Sequence, residues 1–146
     1  MKWICYMILL SLALLGAGER SDVGKLRPVE AVALAERDGQ IIVRADTGDW
    51  GRGESLSEAI GDLRDSTAGL VYLDTAEYLL LETKITEELG GILKPNVRVC
   101  AAEEGIGLDG VGAYLDVHRP GNRLDSGTPY EQLEFLWQEH DRYRLQ

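Results

Sequence analysis

Short apolar segments alternate with polar turn residues between positions 29 and 53 of the chain. Residues 29–34 and 40–45 are rich in β-branched and aliphatic side chains. Asp38-Gly39 lies between them, and this dipeptide is favoured in the two-residue turns of hairpins. The pattern predicts a β-hairpin. The next segment, residues 47–53, carries three glycines and Trp50 and is expected to be a turn.

Helical spacing replaces this pattern after Ser55. Its hydroxyl can cap a helix, and Glu58 three residues later completes a capping box. The apolar residues that follow recur along one helical face; they are Leu56, Ala59, Ile60 and Leu63. The helix is expected to end near residues 66–69.

The middle of the chain contains further apolar runs. Residues 70–73 and 97–102 predict strands, and residues 78–81 predict a strand or the start of a helix. A helix is expected over 84–93, with Thr83 as its cap, ending before Pro95. Gly90-Gly91 weaken that helix. A short helix is expected over 108–117.

The last helix has its own start signals. Thr128 is the expected cap, Pro129 suits the first helical position, and Glu131 completes a capping box. An apolar stripe follows, formed by Leu133, Leu136 and Trp137. The order of elements predicts an α+β or α/β fold, with a single mixed β-sheet and helices packed against it. The expected core residues are Val32, Ile42, Ile60, Leu63, Val71, Leu80, Leu89, Val99 and Leu136.

The first 18 residues indicate export. Lys2 precedes an apolar run over residues 3–15, and Gly16-Ala17-Gly18 supplies the small residues of a cleavage site. The run is shorter than the roughly 20 residues of a membrane span. We expect a signal peptide over 1–18 and one globular domain over 19–146, with an uncleaved N-terminal anchor as the alternative. No lipid-attachment cysteine follows the run, so no lipid anchor is expected.

Charge and cysteine content argue against nucleic-acid binding and against an internal disulfide. The formal net charge of −10 would repel phosphate backbones, so nucleic-acid binding is not expected. Once Cys5 leaves with the signal, Cys100 is the remaining thiol and no internal disulfide can form. Its apolar surroundings predict a buried, unreactive side chain, with a reactive thiol or an intermolecular disulfide as the alternative.

Few residues suggest a catalytic, cofactor-binding or metal site. The glycine-rich loop 48–53 has neither Walker nor dinucleotide spacing, and His118 and His140 match no zinc motif. No cofactor, metal or catalytic residue is therefore assigned. Trp50 and Arg52 are the candidate interaction residues, with Trp50 either a partner anchor or a lid over the sheet edge. Four carboxylates near the loop after the 97–102 strand are candidates for a ligand site; they are Glu103, Glu104, Asp109 and Asp116.

Three segments together resemble the N-terminal domain of the Ger(x)C family, the C subunits of bacterial spore germinant receptors. The segments are GESLSEAIGDL, LVYLDTAEYLLLETKITEELGGIL and NVRVCAAEEG. The matching positions are Gly53, Ser55, Glu58, Ala59, Leu63, residues 78–81, Glu87, Glu88, Leu89 and residues 98–102. Family members are usually lipoproteins with two further domains; from this sequence we expect neither the lipid anchor nor those domains.

The resemblance implies a small exported, non-enzymatic domain that acts through protein contacts. Its partner would lie in the membrane or the spore envelope, and its role would be in sporulation or spore germination. The alternative is a small extracytoplasmic hydrolase or ligand-binding protein that uses the carboxylates between Glu103 and Asp116. Neither the partner's identity nor the oligomeric state can be derived from the sequence.

Overall fold

The computed structural model describes residues 26–146 except 69 and 92. The predicted signal peptide over 1–18 lies outside the described residues. The strands are β1 (Leu26–Pro28), β2 (Ala31–Arg37), β3 (Gln40–Ala45), β4 (Trp50–Gly53), β5 (Leu70–Tyr72), β6 (Tyr78–Leu81), β7 (Arg98–Ala102), β8 (Phe135–Glu139) and β9 (Arg142–Leu145). The helices are α1 (Leu56–Ser66) and α2 (Val111–His118), and three short 3-10 turns cover Leu73–Thr75, Leu124–Ser126 and Tyr130–Gln132.

One mixed sheet forms the centre of the fold, in the order β4-β3-β2-β6-β7-β8-β9. Strands β2, β6, β7 and β8 are parallel to one another, whereas β3, β4 and β9 join by antiparallel pairing. A separate parallel pair joins β1 and β5. The predicted fold class, a mixed sheet with helices packed against it, is confirmed.

The sheet buries a different cluster on each face. One face packs Val32, Val43, Leu79 and Val99 with the apolar stripe of α1. The other face packs Leu80, Cys100 and Leu136 with α2. Seven of the nine predicted core residues are buried. Ile42 is only half-buried because strand alternation turns Ile41 and Val43 inward instead, and Leu89 packs on the core from a partly exposed position.

The predicted hairpin is confirmed by the pairing of β2 with β3. Arg37 pairs with Gln40 across a two-residue turn. Asp38 and Gly39 adopt φ values of 52° and 74°, the left-handed backbone that such a turn requires. The expected turn over 47–53 is wrong in its second half, because residues 50–53 form strand β4 and pair with β3.

Helix α1 begins as the capping pattern predicts. The Ser55 hydroxyl accepts a hydrogen bond from the Glu58 amide at 3.2 Å. The Glu58 carboxylate accepts one from the Glu54 amide at 3.0 Å, one residue earlier than in the standard box. The predicted strands at 70–73 and 97–102 and the short helix at 108–117 also form, with bounds that differ by a few residues. Residues 78–81, expected as a strand or the start of a helix, form strand β6.

The helix expected over 84–93 does not form. In the described part of this segment the chain is irregular, and Gly91 adopts φ +89°. The two successive glycines remove helix propensity where a helix would have to continue. The Thr83 hydroxyl does not cap a helix: it accepts a hydrogen bond from the Glu36 amide at 2.6 Å.

The last predicted helix is also wrong: residues 135–139 and 142–145 form the antiparallel pair β8–β9. Thr128 directs its hydroxyl to Asn122 at 3.3 Å, and Pro129 is extended with ψ 148°. Only the 3-10 turn at 130–132 remains of the helix. Neither α1 nor α2, nor any other described helix, combines the length and apolar character needed to cross a bilayer.

Candidate functional site

The edge strand β4 carries both candidate interaction residues on one face. Strand alternation points Trp50 and Arg52 away from α1, and both are exposed. Gly51 and Gly53 face the helix. A Cβ atom at Gly51 would lie 2.3 Å from the Ala59 carbonyl oxygen, so glycine is required for the helix to pack directly on this strand. The close packing fixes the strand that presents Trp50.

Helix α1 also closes the hydrogen-bonding edge of β4. The Arg52 amide donates to the Asp62 carboxylate at 2.9 Å. The Trp50 carbonyl accepts from the Ser66 hydroxyl at 3.2 Å. Open strand edges invite pairing with another chain, and side-chain contacts of this kind prevent it. This edge is therefore suited to recognition by side chains rather than by strand addition.

Trp50 is 55% exposed and borders a shallow cavity of about 240 Å³. The cavity is acidic, since Asp46, Asp49 and Asp109 line it. Arg44 also lines the cavity, and its guanidinium donates hydrogen bonds to the buried Glu82 carboxylate and to the Ile106 carbonyl. An exposed indole beside carboxylates can accept an apolar contact together with a basic side chain.

The glycine-rich loop does not form a phosphate cradle. Its glycines 51 and 53 are covered by α1, and its backbone belongs to the β3–β4 ladder. Gly51 and Gly53 therefore allow α1 to pack directly on β4.

The four candidate carboxylates have separate roles. Glu103 accepts a hydrogen bond from the Gln138 amide at 2.7 Å, and Glu104 pairs with Arg37. Asp116 accepts one from the Tyr78 hydroxyl at 2.5 Å, whereas Asp109 borders the Trp50 cavity. Within residues 26–146 apart from 69 and 92, no three His, Cys, Asp or Glu side chains form a group able to hold a metal.

The thiol and the imidazoles occupy contrasting environments. Cys100 is fully buried, and burial raises its pKa to about 12, which suppresses the reactive thiolate. His118 is exposed, stacks on Tyr114 and donates through Nδ1 to the Tyr114 carbonyl at 2.9 Å. His140 is exposed in the β8–β9 turn. The predicted burial of Cys100 is confirmed.

An open groove of about 910 Å³ lies where the helix over 84–93 was expected. Its apolar walls are formed by Leu89, Leu93, Pro95 and Leu124. The Glu87 carboxylate at its margin accepts a hydrogen bond from the Leu56 amide at 2.8 Å. The irregular segment thus contacts the start of α1 and leaves the groove beside it.

Sequence reasoning named Asp116 as a candidate but missed the polar cavity of about 250 Å³ that it lines at the amino ends of β6 and β7. Lys94, Arg98 and Arg119 line it together with Glu77, Tyr78, Asn96 and Asp116. These residues come from three separate segments, so no local motif joins them. Burial and the Asp116 hydrogen bond raise the pKa of Tyr78, which keeps its hydroxyl protonated as a donor.

Comparison with protein-family models, curated proteins and solved structures finds no match to this chain. The resemblance to the N-terminal domain of the Ger(x)C family stays a prediction.

Proposed function

We propose that this chain is an exported protein-interaction domain that binds a partner through the face of β4 carrying Trp50 and Arg52. It acts outside the cytoplasm on a partner in the membrane or the spore envelope, in sporulation or spore germination. The observation that carries the proposal is that Trp50 and Arg52 are both exposed on strand β4. Side chains of α1 hydrogen bond to the outer edge of this strand. The setting in spore formation rests on the sequence resemblance alone.

Tryptophan and arginine, together with tyrosine, are enriched at the energetic centres of interfaces. A tryptophan can bury about 150–250 Å² of surface, and its indole N–H supplies a polar contact. Here the strand beneath Trp50 is held by the packing of α1 on Gly51, so little backbone entropy is lost on binding.

The chemistry around Trp50 defines the partner. Asp46, Asp49 and Asp109 make the neighbouring cavity acidic, and the whole chain has a formal net charge of −10. We therefore expect a partner that places an apolar surface over the indole and a lysine or arginine in the cavity. Complementary charge of this kind speeds association and selects the partner.

Export is supported by the apolar run over residues 3–15 and the small residues that follow it. We expect cleavage after Gly18 and a product outside the cytoplasmic membrane. Sequencing of the mature N-terminus and fractionation of producing cells test this part. Recovery of Met1 in protein that only detergent extracts would replace it with an anchored domain.

The alternative, a hydrolase or ligand-binding protein built on the loop carboxylates, has weaker support. Glu103, Glu104 and Asp116 are each engaged with a different residue. A catalytic pair needs two carboxyl groups facing one reacting bond, and these contacts direct the three groups elsewhere.

Site-specific photo-crosslinking in producing cells tests the interaction. A benzophenone side chain at position 52 should form one discrete adduct with a basic partner, and Trp50→Ala should abolish that adduct. The same crosslinker at Tyr72 is the matched control, since this aromatic residue is 49% exposed on β5, outside the proposed face.

The yield of the adduct is also expected to depend on the negative charge of the cavity beside Trp50. Asp109→Lys should weaken it, whereas Asp65→Lys on the exposed face of α1 should not. An adduct that survives Trp50→Ala in a folded variant, or equal crosslinking from position 72, would overturn the proposal.

A further inference from the structure

The polar cavity beside β6 and β7 gathers three cations in an acidic chain. Lys94 and Arg98 are half-buried and Arg119 is exposed. The ion pairs found among the described residues use other cations, including Arg37, Arg44, Lys84 and Arg144. A half-buried cation loses part of its hydration, and no ion pair among the described residues offsets this loss for Lys94 or Arg98.

The two carboxylates that line the cavity, Asp116 and Glu77, are outnumbered by its three cations and form none of the ion pairs found among the described residues. The Asp116 carboxylate accepts a hydrogen bond from the Tyr78 hydroxyl at 2.5 Å. The backbone carbonyl of Asp116 accepts one from Arg119 Nε at 3.3 Å. Glu77 is exposed. Arg98 donates through Nη1 to the Pro120 carbonyl at 2.6 Å. A guanidinium carries five N–H donors, so both arginines retain donors for a ligand.

The backbone of Arg119 supplies an independent observation. Arg119 ends α2 with φ +42°, at the position where glycine is preferred. It also precedes Pro120, and a residue before proline favours extended backbone. The conformation is therefore strained, and it holds a guanidinium at the wall of the cavity. Strain of this kind concentrates at ligand sites.

We infer that this cavity binds a small anion through a phosphate or carboxylate group held by Lys94, Arg98 and Arg119. Guanidinium groups match the planar or tetrahedral oxygens of both anions by paired hydrogen bonds. Asn96 adds an amide donor at the rim. The volume of about 250 Å³ suits a small molecule. The site shares no residue with the Trp50 surface, so the two proposals can fail separately.

Isothermal titration of the purified full chain with inorganic phosphate and with succinate tests the inference. Salt of roughly 0.15 M screens diffuse attraction beyond about 8 Å. We expect saturable binding of at least one anion. Phosphate alone indicates a phosphorylated ligand, succinate alone indicates a carboxylate ligand, and both together support the shared site.

Variants make the test specific to the cavity. Arg119→Gly removes the guanidinium and relaxes the backbone, so we expect a folded protein with roughly tenfold weaker binding. Arg119→Lys keeps the charge and should bind better than Arg119→Gly. Arg142→Gln is the matched control, because Arg142 is an exposed cation on β9, and it should leave binding unchanged.

Two results would overturn the inference. One is the lack of saturable binding of either anion at about 10 mM, well above a Kd of ~1 mM. The other is an equal loss of affinity in Arg119→Gly and Arg142→Gln, which would indicate diffuse attraction to surface charge. Thermal unfolding of each variant shows that it is folded at the temperature of titration.

Discussion

The Arg44 guanidinium donates a hydrogen bond to the Glu82 carboxylate across strand β2, which separates β3 from the end of β6. The Glu82 side chain is only 3% exposed, whereas that of Arg44 is 31% exposed. The same guanidinium donates to the Ile106 carbonyl at 2.9 Å. The Arg44 guanidinium therefore pairs with the buried Glu82 carboxylate and also binds the loop at Ile106, which packs on the second face of the sheet.

Removal of that cation is expected to destabilise the fold. Arg44→Met should lower the free energy of unfolding by about 2 kcal/mol or more, because Glu82 keeps its burial and loses its partner. Arg44→Met/Glu82→Met should recover most of the loss, since an apolar pair leaves no unpaired charge. Urea unfolding measures both variants.

The exposed Arg37–Glu104 pair is the control for this comparison. Both side chains are at least half exposed, so Arg37→Met should change the free energy of unfolding by less than about 1 kcal/mol. Equal losses for Arg37→Met and Arg44→Met would contradict a special role for the buried carboxylate.

The glycines of β4 and α1 give a second prediction. Gly51→Ala should destabilise the fold by about 1–3 kcal/mol, because the added methyl group meets the backbone of Ala59 and Leu63 at 2.3 Å. Gly61→Ala, within α1, meets nothing within 4 Å and should stabilise it by roughly 0.5–1 kcal/mol. Thermal unfolding compares the two. A neutral Gly51→Ala would mean that the helix can move away from the strand.

Local signals predicted those elements whose hydrogen bonds are also local. Asp38-Gly39 specified the hairpin turn, and Ser55 with Glu58 specified the start of α1. The same capping pattern at Thr128 and Glu131 failed. There the Thr128 hydroxyl bonds to Asn122, and Leu136 enters the sheet beside Ala102. A long-range strand pairing overrode the local helix signal.

The two candidate sites also differ in whether neighbouring or distant residues of the sequence form them. Trp50 and Arg52 are two residues apart on one strand, so sequence alone could nominate them. Lys94, Arg98 and Arg119 meet only when β7 lies beside the end of α2. No signal in the sequence directs attention there, because the unusual backbone of Arg119 before Pro120 is visible only in the structure.

Cys100 gives a prediction about pH. Burial raises the pKa of its thiol from an ordinary 9.0 to about 12. Between these values the unfolded chain ionises this thiol and the folded chain does not. The contribution of Cys100 is therefore complete below pH 9 and falls as pH rises. At about pH 10 we expect a loss of about 1 kcal/mol relative to neutral pH.

Urea unfolding of wild type and Cys100→Ala at both pH values isolates this loss from tyrosine titration, which the two proteins share. Mass spectrometry of the Cys100 peptide should also show alkylation only after denaturation. Rapid alkylation of the native protein at pH 8 would contradict the buried, protonated thiol.

Arg119 provides the last prediction, which concerns stability rather than binding. Arg119→Gly should raise the free energy of unfolding by about 1 kcal/mol, because glycine adopts positive φ without the clash that an arginine Cβ makes. Ala113→Gly is the matched control in the exposed part of α2 and should lower it by about 1 kcal/mol. Thermal unfolding measures both. A more stable Arg119→Gly that has lost anion affinity would show that the arginine serves a ligand at the expense of the fold. A destabilised Arg119→Gly would instead mean that the contacts of the guanidinium with the end of α2 outweigh the backbone strain.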